Sequence, residues 1–183
     1  MIAPAPGILL VADPFLQDPN FKRTVVFLCE HQEEGSFGFV LNRPYEYMLA
    51  DLVSGVEDLD IPVFYGGPVQ IDTVHFLHQV PDQIPGGFKV VDDVYWGGDF
   101  ETAIALIRAG ELDLSRIRFY IGYSGWSKGQ LGEEMKEKSW LTVEANRQLV
   151  FTKDSNEIWK LALQLMGGEY EMLINYPIDP RLN

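Results

Sequence analysis

Two short polar segments hold the side chains of this chain that are best suited to chemistry. Cys29 and His31 end an apolar run, and Asn42-Arg43-Pro44 begins eleven residues after His31. An imidazole beside a thiol can lower the pKa of the thiol and make it a nucleophile or a redox sensor. An arginine can hold a carboxylate or phosphate through two parallel hydrogen bonds. Since α/β proteins usually place their sites at strand ends, both segments are candidate site residues.

Each segment also has a structural interpretation. Cys29 continues the inward apolar stripe of its predicted strand, and free cysteine is among the most often buried residues. Arg43 is the only lysine or arginine between residues 24 and 88, against ten acids, and an internal pair with Glu30 is the alternative to an anion ligand. Asn42 would then hold the turn before the proline. The sequence leaves these alternatives open.

A third candidate segment is Gly122-Tyr123-Ser124-Gly125-Trp126, which ends a predicted strand and is followed by Gln130. It would line a pocket, with the Ser124 hydroxyl as a donor and Gln130 helping to orient a ligand. It does not match the G-x-S-x-G pattern of esterases, because the second glycine stands at position 125 and not at 126. Trp126 is most simply a core anchor.

Apolar periodicity and turn residues predict a mixed α/β fold. An antiparallel hairpin with strands over residues 24–30 and 37–41 opens it. Further strands are predicted over 63–65, 73–80, 88–95, 118–123 and 149–151, and helices over 45–53, 99–110, 127–138 and 154–167. We therefore expect an α/β fold. Its mixed β-sheet would have an N-terminal antiparallel hairpin and be flanked by helices, in a three-layer-like single domain over residues 1–183.

Composition restricts the classes of function. The chain has 183 residues, 46% of them hydrophobic, and a net charge of −13. Direct binding to nucleic acid is not expected for so acidic a chain, because such binding needs several Lys or Arg side chains that face phosphates. One cysteine cannot form an intramolecular disulfide, and His75 and His78 would lie on opposite faces of a strand, so no metal and no other cofactor is expected. The N-terminus has no basic region and no apolar run approaches about 20 residues, so we expect a cytoplasmic protein that does not enter a membrane.

Motifs over nearly the whole chain carry a family resemblance. They are Asp18-Pro19-x-Phe21-x-Arg23-Thr24-Val25-Val26, Cys29-Glu30-His31, Leu41-Asn42-Arg43-Pro44, Gly66-Gly67-Pro68, Leu77-His78, Gly122-Tyr123-x-Gly125-Trp126 and Gly129-Gln130-Leu131. By these motifs the chain resembles the YqgE/AlgH family of bacterial proteins. The resemblance implies one α/β domain without an established activity. Some members are called transcriptional regulators, although this chain has no helix-turn-helix pattern.

One position departs from the family pattern. Relatives usually have Glu directly after Gly-Gln-Leu, where this chain has Gly132, followed by Glu133 and Glu134. Any role of that first Glu in a site is therefore moved or lost in this chain.

These observations give three hypotheses, led by a non-catalytic binding or regulatory protein. Its cleft would be formed by the ends of the first two strands and the turn over residues 122–130. Asn42, Arg43 and Gln130 would orient a small anionic ligand or a peptide there, with Cys29 and His31 nearby. The alternatives are a thiol-based enzyme or redox sensor that uses Cys29, and a transcriptional regulator that acts through contacts with another protein.

Overall fold

The computed structural model describes residues 1–19 and 21–175, which form ten strands and six α-helices. The strands are β1 (Ile8–Ala12), β2 (Val25–Gln32), β3 (Gly35–Val40), β4 (Pro44–Met48), β5 (Pro62–Tyr65), β6 (Val69–His78), β7 (Phe88–Val91), β8 (Val94–Trp96), β9 (Ile117–Ser127) and β10 (Trp140–Glu144). The helices are α1 (Leu49–Leu52), α2 (Phe100–Arg108), α3 (Gln130–Lys136), α4 (Arg147–Val150), α5 (Ile158–Met166) and α6 (Glu169–Met172). Single 3₁₀ turns cover Leu114–Arg116, Ser155–Glu157 and Leu173–Asn175.

The strands form one curled sheet in the order β10-β1-β2-β3-β9-β6-β8-β7, with β4 and β5 on a side branch. All pairs are antiparallel except β5 with β9. β9 joins the two halves, because its first residues pair with β5 and β6 and its last residues pair with β3. The curl brings Gly7, before β1, against Val91 of β7: a Cβ added at Gly7 would lie 3.1 Å from the Cβ of Val91.

Both faces of β1, and of β2 over residues 25–29, are buried. Leu9 and Val11 of β1 belong to one apolar cluster, which packs against α4 and α5. Their neighbours Leu10 and Ala12 belong to another, which packs against α3. A strand that is covered on both faces has a continuous apolar sequence and not an alternating one. This explains the uninterrupted apolar runs over residues 8–12 and 25–29.

The predicted fold class is confirmed, since a mixed sheet with an early antiparallel hairpin is flanked by helices. Asp99 caps α2 as predicted, accepting a hydrogen bond from the backbone N–H of Thr102 at 3.0 Å. Gly110, with φ +72°, lies just after the C-terminal end of α2.

Several predicted elements were wrong. Residues 88–95 are not one strand but the β7–β8 hairpin, whose turn contains Asp93 at φ +64°. Residues 149–151 are not a strand, because the side chain of Asn146 accepts a hydrogen bond from the N–H of Leu149 and caps α4. Residues 45–53 divide into β4 and α1, and β1 and β10 were not predicted.

His78 is a fully buried histidine at the end of β6. Its Nε2 donates to the carbonyl of Gly97 at 2.9 Å, and its Nδ1 accepts from the N–H of Val80 at 3.1 Å. This pattern fixes the neutral tautomer with the proton on Nε2. Burial lowers the pKa of His78 below its ordinary value of 6.5, although the bond to Gly97 acts in the opposite direction.

We predict that His78 makes the protein less stable in acid. Below pH 6.5 the unfolded chain takes up a proton on His78 while the folded chain does not, so the free energy of unfolding falls with pH until the lowered folded pKa is reached. Urea unfolding of the wild type and of His78→Gln should show a stability difference that is largest at pH 7.5 and shrinks towards pH 5. A difference that is constant over this range would contradict the prediction.

Candidate functional site

The Gly66-Gly67 pair lies directly on the backbone of β9. The N–H of Gly66 donates to the carbonyl of Ile121 at 2.8 Å, and the carbonyl of Gly66 accepts from the N–H of Val40 and the hydroxyl of Ser124. A Cβ added at Gly67 would lie 2.2 Å from the carbonyl carbon of Tyr123. At this pair two backbones approach each other so closely that only glycine is permitted.

Gly122 shifts the alternation of side chains along β9. It has φ +69°, and a Cβ at this position would lie 2.4 Å from the carbonyl oxygen of Gly67. As a result Tyr120 and Tyr123, three residues apart, both pack against the same apolar cluster, whereas regular alternation would place them on opposite faces. The predicted site residues Gly122 and Ser124 are thus part of the crossing, and they direct Tyr123 into a cavity.

Five aromatic side chains line a cavity of about 570 Å³, which we call the aromatic cleft. Trp126 lies at its border, and the other four are Phe37 of β3, His75 of β6, Trp96 of β8 and Tyr123 of β9. The ring centroids lie 4.8 Å apart for Phe37 and Trp96, 5.8 Å for Phe37 and Tyr123, 6.1 Å for His75 and Tyr123, and 6.2 Å for His75 and Trp96. The four rings therefore form a closed circuit of neighbouring aromatic groups.

The rim of the aromatic cleft is acidic. Glu30 and Glu34 line it, and neither lysine nor arginine is among its lining residues. Within the cleft, burial lowers the pKa of His75 below its ordinary value, so the imidazole is neutral at neutral pH. Its Nε2 is buried and has no hydrogen-bond partner in the described part of the chain. The cleft thus combines aromatic faces with a negative rim.

Asn42 and Arg43 do not lie at the aromatic cleft. β2 and β3 pair antiparallel. Glu30 therefore lies opposite Phe37, near the turn between these strands, whereas Asn42 and Arg43 follow the other end of β3. The predicted pair of Arg43 with Glu30 was therefore wrong, and so was a cleft that unites the two polar segments.

The side chain of Asn42 forms two hydrogen bonds with the backbone at the start of β2. Its Oδ1 accepts from the N–H of Val25 at 3.0 Å, and its Nδ2 donates to the carbonyl of Arg23 at 2.9 Å. Arg43 donates to the carbonyl of Lys22 at 3.2 Å, and burial lowers its pKa, while Tyr65 and Asp18 act in the opposite direction. With Tyr45 and Tyr65, Asn42 and Arg43 line a separate cavity of about 380 Å³.

Cys29 and His31 also differ from the arrangement that a reactive thiol needs. Cys29 is 8% exposed within the same apolar cluster as Phe27, and burial, with the nearby charge of Glu30, raises the pKa of its thiol well above the ordinary value. His31 is exposed, and its Nδ1 lies 2.6 Å from the hydroxyl of Ser36. The bulge between Leu28 and Glu30 breaks the alternation that would have placed both side chains on one face.

Trp126 and Gln130 meet at the carboxylate of Glu134, a residue to which the sequence assigned no role. Glu134 Oε1 accepts from the indole N–H of Trp126 at 3.0 Å and from that of Trp140 at 2.8 Å. Its Oε2 accepts from Gln130 at 3.0 Å, and the side-chain oxygen of Gln130 accepts from the N–H of Ser127. Trp126 also borders the aromatic cleft, so this cluster supports the wall of the cleft.

Residues 1–19 and 21–175 contain no group of three or more His, Cys, Asp or Glu that could hold a metal ion. In the same part of the chain, no helix is long and apolar enough to cross a membrane.

Comparison with known proteins identifies the family. Residues 9–171 match the model of the AlgH-like family, DUF179. The chain belongs to the AlgH-like family. It is 46% identical to a UPF0301 protein of Chlorobium limicola over 97% of this chain and 95% of that protein, and 41% identical to a UPF0301 protein of Cytophaga hutchinsonii over 97% and 98%. The resemblance to the YqgE/AlgH family is thereby confirmed.

Solved structures have the same fold. The solution structure of AlgH from Pseudomonas aeruginosa, a UPF0301 protein, aligns with a TM-score of 0.74 at 28% identity over 97% of this chain and 98% of that one. The crystal structure of the protein DIP2367 from Corynebacterium diphtheriae aligns with a TM-score of 0.80 at 20% identity over 94% and 92%. These two solved proteins thus have the same fold as this chain.

We predict that Glu134 contributes strongly to stability. Glu134→Ala leaves the indole N–H groups of Trp126 and Trp140, which are 4% and 1% exposed, without an acceptor. The free energy of unfolding should fall by about 2–4 kcal/mol, since each buried donor that loses its partner costs roughly 1–3 kcal/mol. Urea denaturation measures this change.

The matched control is the neighbouring carboxylate. Glu133 is exposed and contacts only Lys136, at 3.1 Å, among the described ion pairs. Glu133→Ala should change stability by less than about 0.5 kcal/mol. Equal effects of the two variants would contradict the role assigned to Glu134.

We also predict slow alkylation of Cys29 in the folded protein. The thiol is buried and its pKa is raised, so little thiolate is available at pH 8. Because the chain has one cysteine, iodoacetamide labelling followed by mass spectrometry reports this site alone. The rate should rise at least about 100-fold in guanidinium chloride. Rapid labelling of the folded protein would support the reactive-thiol hypothesis instead.

Proposed function

We propose that this protein is a non-catalytic binding protein whose aromatic cleft holds a small organic cation. The observation that carries the proposal is the circuit of Phe37, His75, Trp96 and Tyr123 behind an acidic rim. A volume of about 570 Å³ lies within the usual range of small-molecule sites.

Aromatic faces favour a cation over a neutral group of the same shape. A cation within about 6 Å of a ring centroid is attracted by the negative face of the ring, and the attraction grows when water is excluded. Phe37, Trp96 and Tyr123 are half-buried around the cleft, so a bound cation would lose much of its water and still face several rings. This chemistry suits quaternary or methylated ammonium groups.

The charge around the cleft supports the same ligand class. Glu30 and Glu34 are exposed at the rim, and the chain as a whole carries a net charge of −13. A negative rim raises the local concentration of cations and speeds their association. The ring of His75, neutral at neutral pH because burial lowers its pKa, adds a further aromatic wall to the cleft. The sequence suggested an anionic ligand held by Arg43, but Arg43 does not line this cleft.

One contact at the rim resembles a nucleophile with its base. The hydroxyl of Ser36 and the Nδ1 of His31 are 2.6 Å apart on neighbouring strands. Hydrolytic triads also need an acid that orients the base through its other nitrogen. Among the described hydrogen bonds none joins a carboxylate to His31, so we assign no catalysis to this pair.

Other expectations remain predictions of the sequence. Control of transcription through contacts with another protein is one of them. The absence of direct nucleic-acid binding is another, and it rests on the net charge.

The proposal predicts that charge decides binding to the cleft. In calorimetric titrations, choline should bind at least about tenfold more tightly than 3,3-dimethylbutan-1-ol, which has the same shape without the charge. Trp96→Leu should weaken choline binding about tenfold, whereas Tyr47→Leu, which removes an exposed ring outside the cleft, should leave it unchanged. Equal binding of the two probes, or an equal effect of the two variants, would overturn the proposal.

The acidic rim has a separate signature. The double variant Glu30→Gln with Glu34→Gln should weaken choline binding about two- to fivefold at low ionic strength. The loss should disappear in 0.5 M salt, where exposed charges are screened over a few ångströms. A loss that persists at high salt would mean that the glutamates contact the ligand directly and do not act through the field of the rim.

A further inference from the structure

Arg118 of β9 is a buried cation in a chain whose net charge is −13. It is 8% exposed, and its neighbours on the strand, Ile117 and Phe119, are 1% and 0% exposed. Its guanidinium donates to the carbonyl of Val150 at 3.4 Å and to the carbonyl of Thr152. Its Cζ lies 5.0 Å from the centroid of the Phe64 ring.

No carboxylate pairs with Arg118 among the residues the structure describes. The ion pairs of residues 1–19 and 21–175 do not include it. Buried arginines are nearly always paired, because a charge taken out of water is costly unless an opposite charge compensates it. The two carbonyls use two of the five N–H groups of the guanidinium and supply only partial charge.

Arg118 lines a cavity of about 460 Å³ that shares no residue with the aromatic cleft. A second cation, the exposed Lys153, lines the same cavity, and Ser115 adds a hydroxyl. The carboxylate of Asp113, also at this cavity, accepts from the N–H of Ser115 at 2.8 Å, which lowers its pKa. The walls are otherwise apolar and include the rings of Phe64 and Phe151.

We propose that this cavity, the Arg118 pocket, binds a small organic anion. A carboxylate or phosphate would supply the missing counter-charge to Arg118, with Lys153 as the second cation, and an apolar body of the ligand would lie against Phe64 and Phe151. Arginine suits this role because its planar fork can hold two oxygens of one anion. The site is independent of the aromatic cleft, so either proposal can fail alone.

Thermal unfolding with and without anions tests the pocket. Benzoate, inorganic phosphate and neutral benzamide are the probes, each at equal ionic strength. Benzoate at about ten times its dissociation constant should raise the melting temperature by about 3–6 °C, because a ligand that binds only the folded state stabilises it. Benzamide should give no shift. An equal shift with benzamide, or no shift with benzoate and phosphate up to 50 mM, would overturn the proposal.

Variants then assign the effect to this site. Arg118→Met should abolish the benzoate shift, but it also removes two buried hydrogen bonds and can lower stability by itself. Lys153→Gln changes an exposed side chain and should weaken benzoate binding about threefold without loss of basal stability. Lys160→Gln, an exposed lysine of α5 outside the pocket, is the matched control and should have no effect. Equal effects of the two lysine variants would contradict the site.

Discussion

The fold depends on the close crossing of Gly66-Gly67 over β9. A Cβ at Gly67 would lie 2.2 Å from the backbone of Tyr123, and one at Gly122 would lie 2.4 Å from the carbonyl of Gly67, so no larger residue fits at either position. The crossing also satisfies buried backbone groups, since the carbonyl of Gly66 accepts from Val40 and Ser124. Because β9 pairs with β3, β5 and β6, the crossing lies on the strand that joins both halves of the sheet.

The same strand positions both candidate ligand sites. Arg118 lies near its start, in the segment that pairs with β5 and β6, and Tyr123 lies after the shift at Gly122. Side chains of regular β-strands alternate between two faces, so a strand without the shift would turn Tyr123 away from Phe37 and Trp96. The aromatic cleft is therefore a consequence of the crossing, and its rings are drawn from four strands that are distant in sequence.

The sequence predicted features that local interactions determine. Asp99 caps α2 within three residues, and the first hairpin closes over a short turn, so both could be predicted from the sequence. Features that depend on register or distant pairing could not. The spacing of Glu30 and Arg43 suggested a pair, but the antiparallel register puts Glu30 opposite Phe37. Nothing in the order of residues connects His75 with Phe37, or Glu134 with Trp126 and Trp140.

The buried polar groups of this chain differ in how fully the chain itself supplies their hydrogen bonds and counter-charges. Glu134 receives two indole N–H groups and an amide, and His78 uses both ring nitrogens, so both groups are satisfied within the fold. His75 has a buried nitrogen without a partner, and Arg118 has two carbonyls in place of an anion. Buried polar groups are costly when unsatisfied, and a folded protein retains few of them. Because Arg118 also lines a cavity, an anion bound there would compensate its charge without a change in the fold.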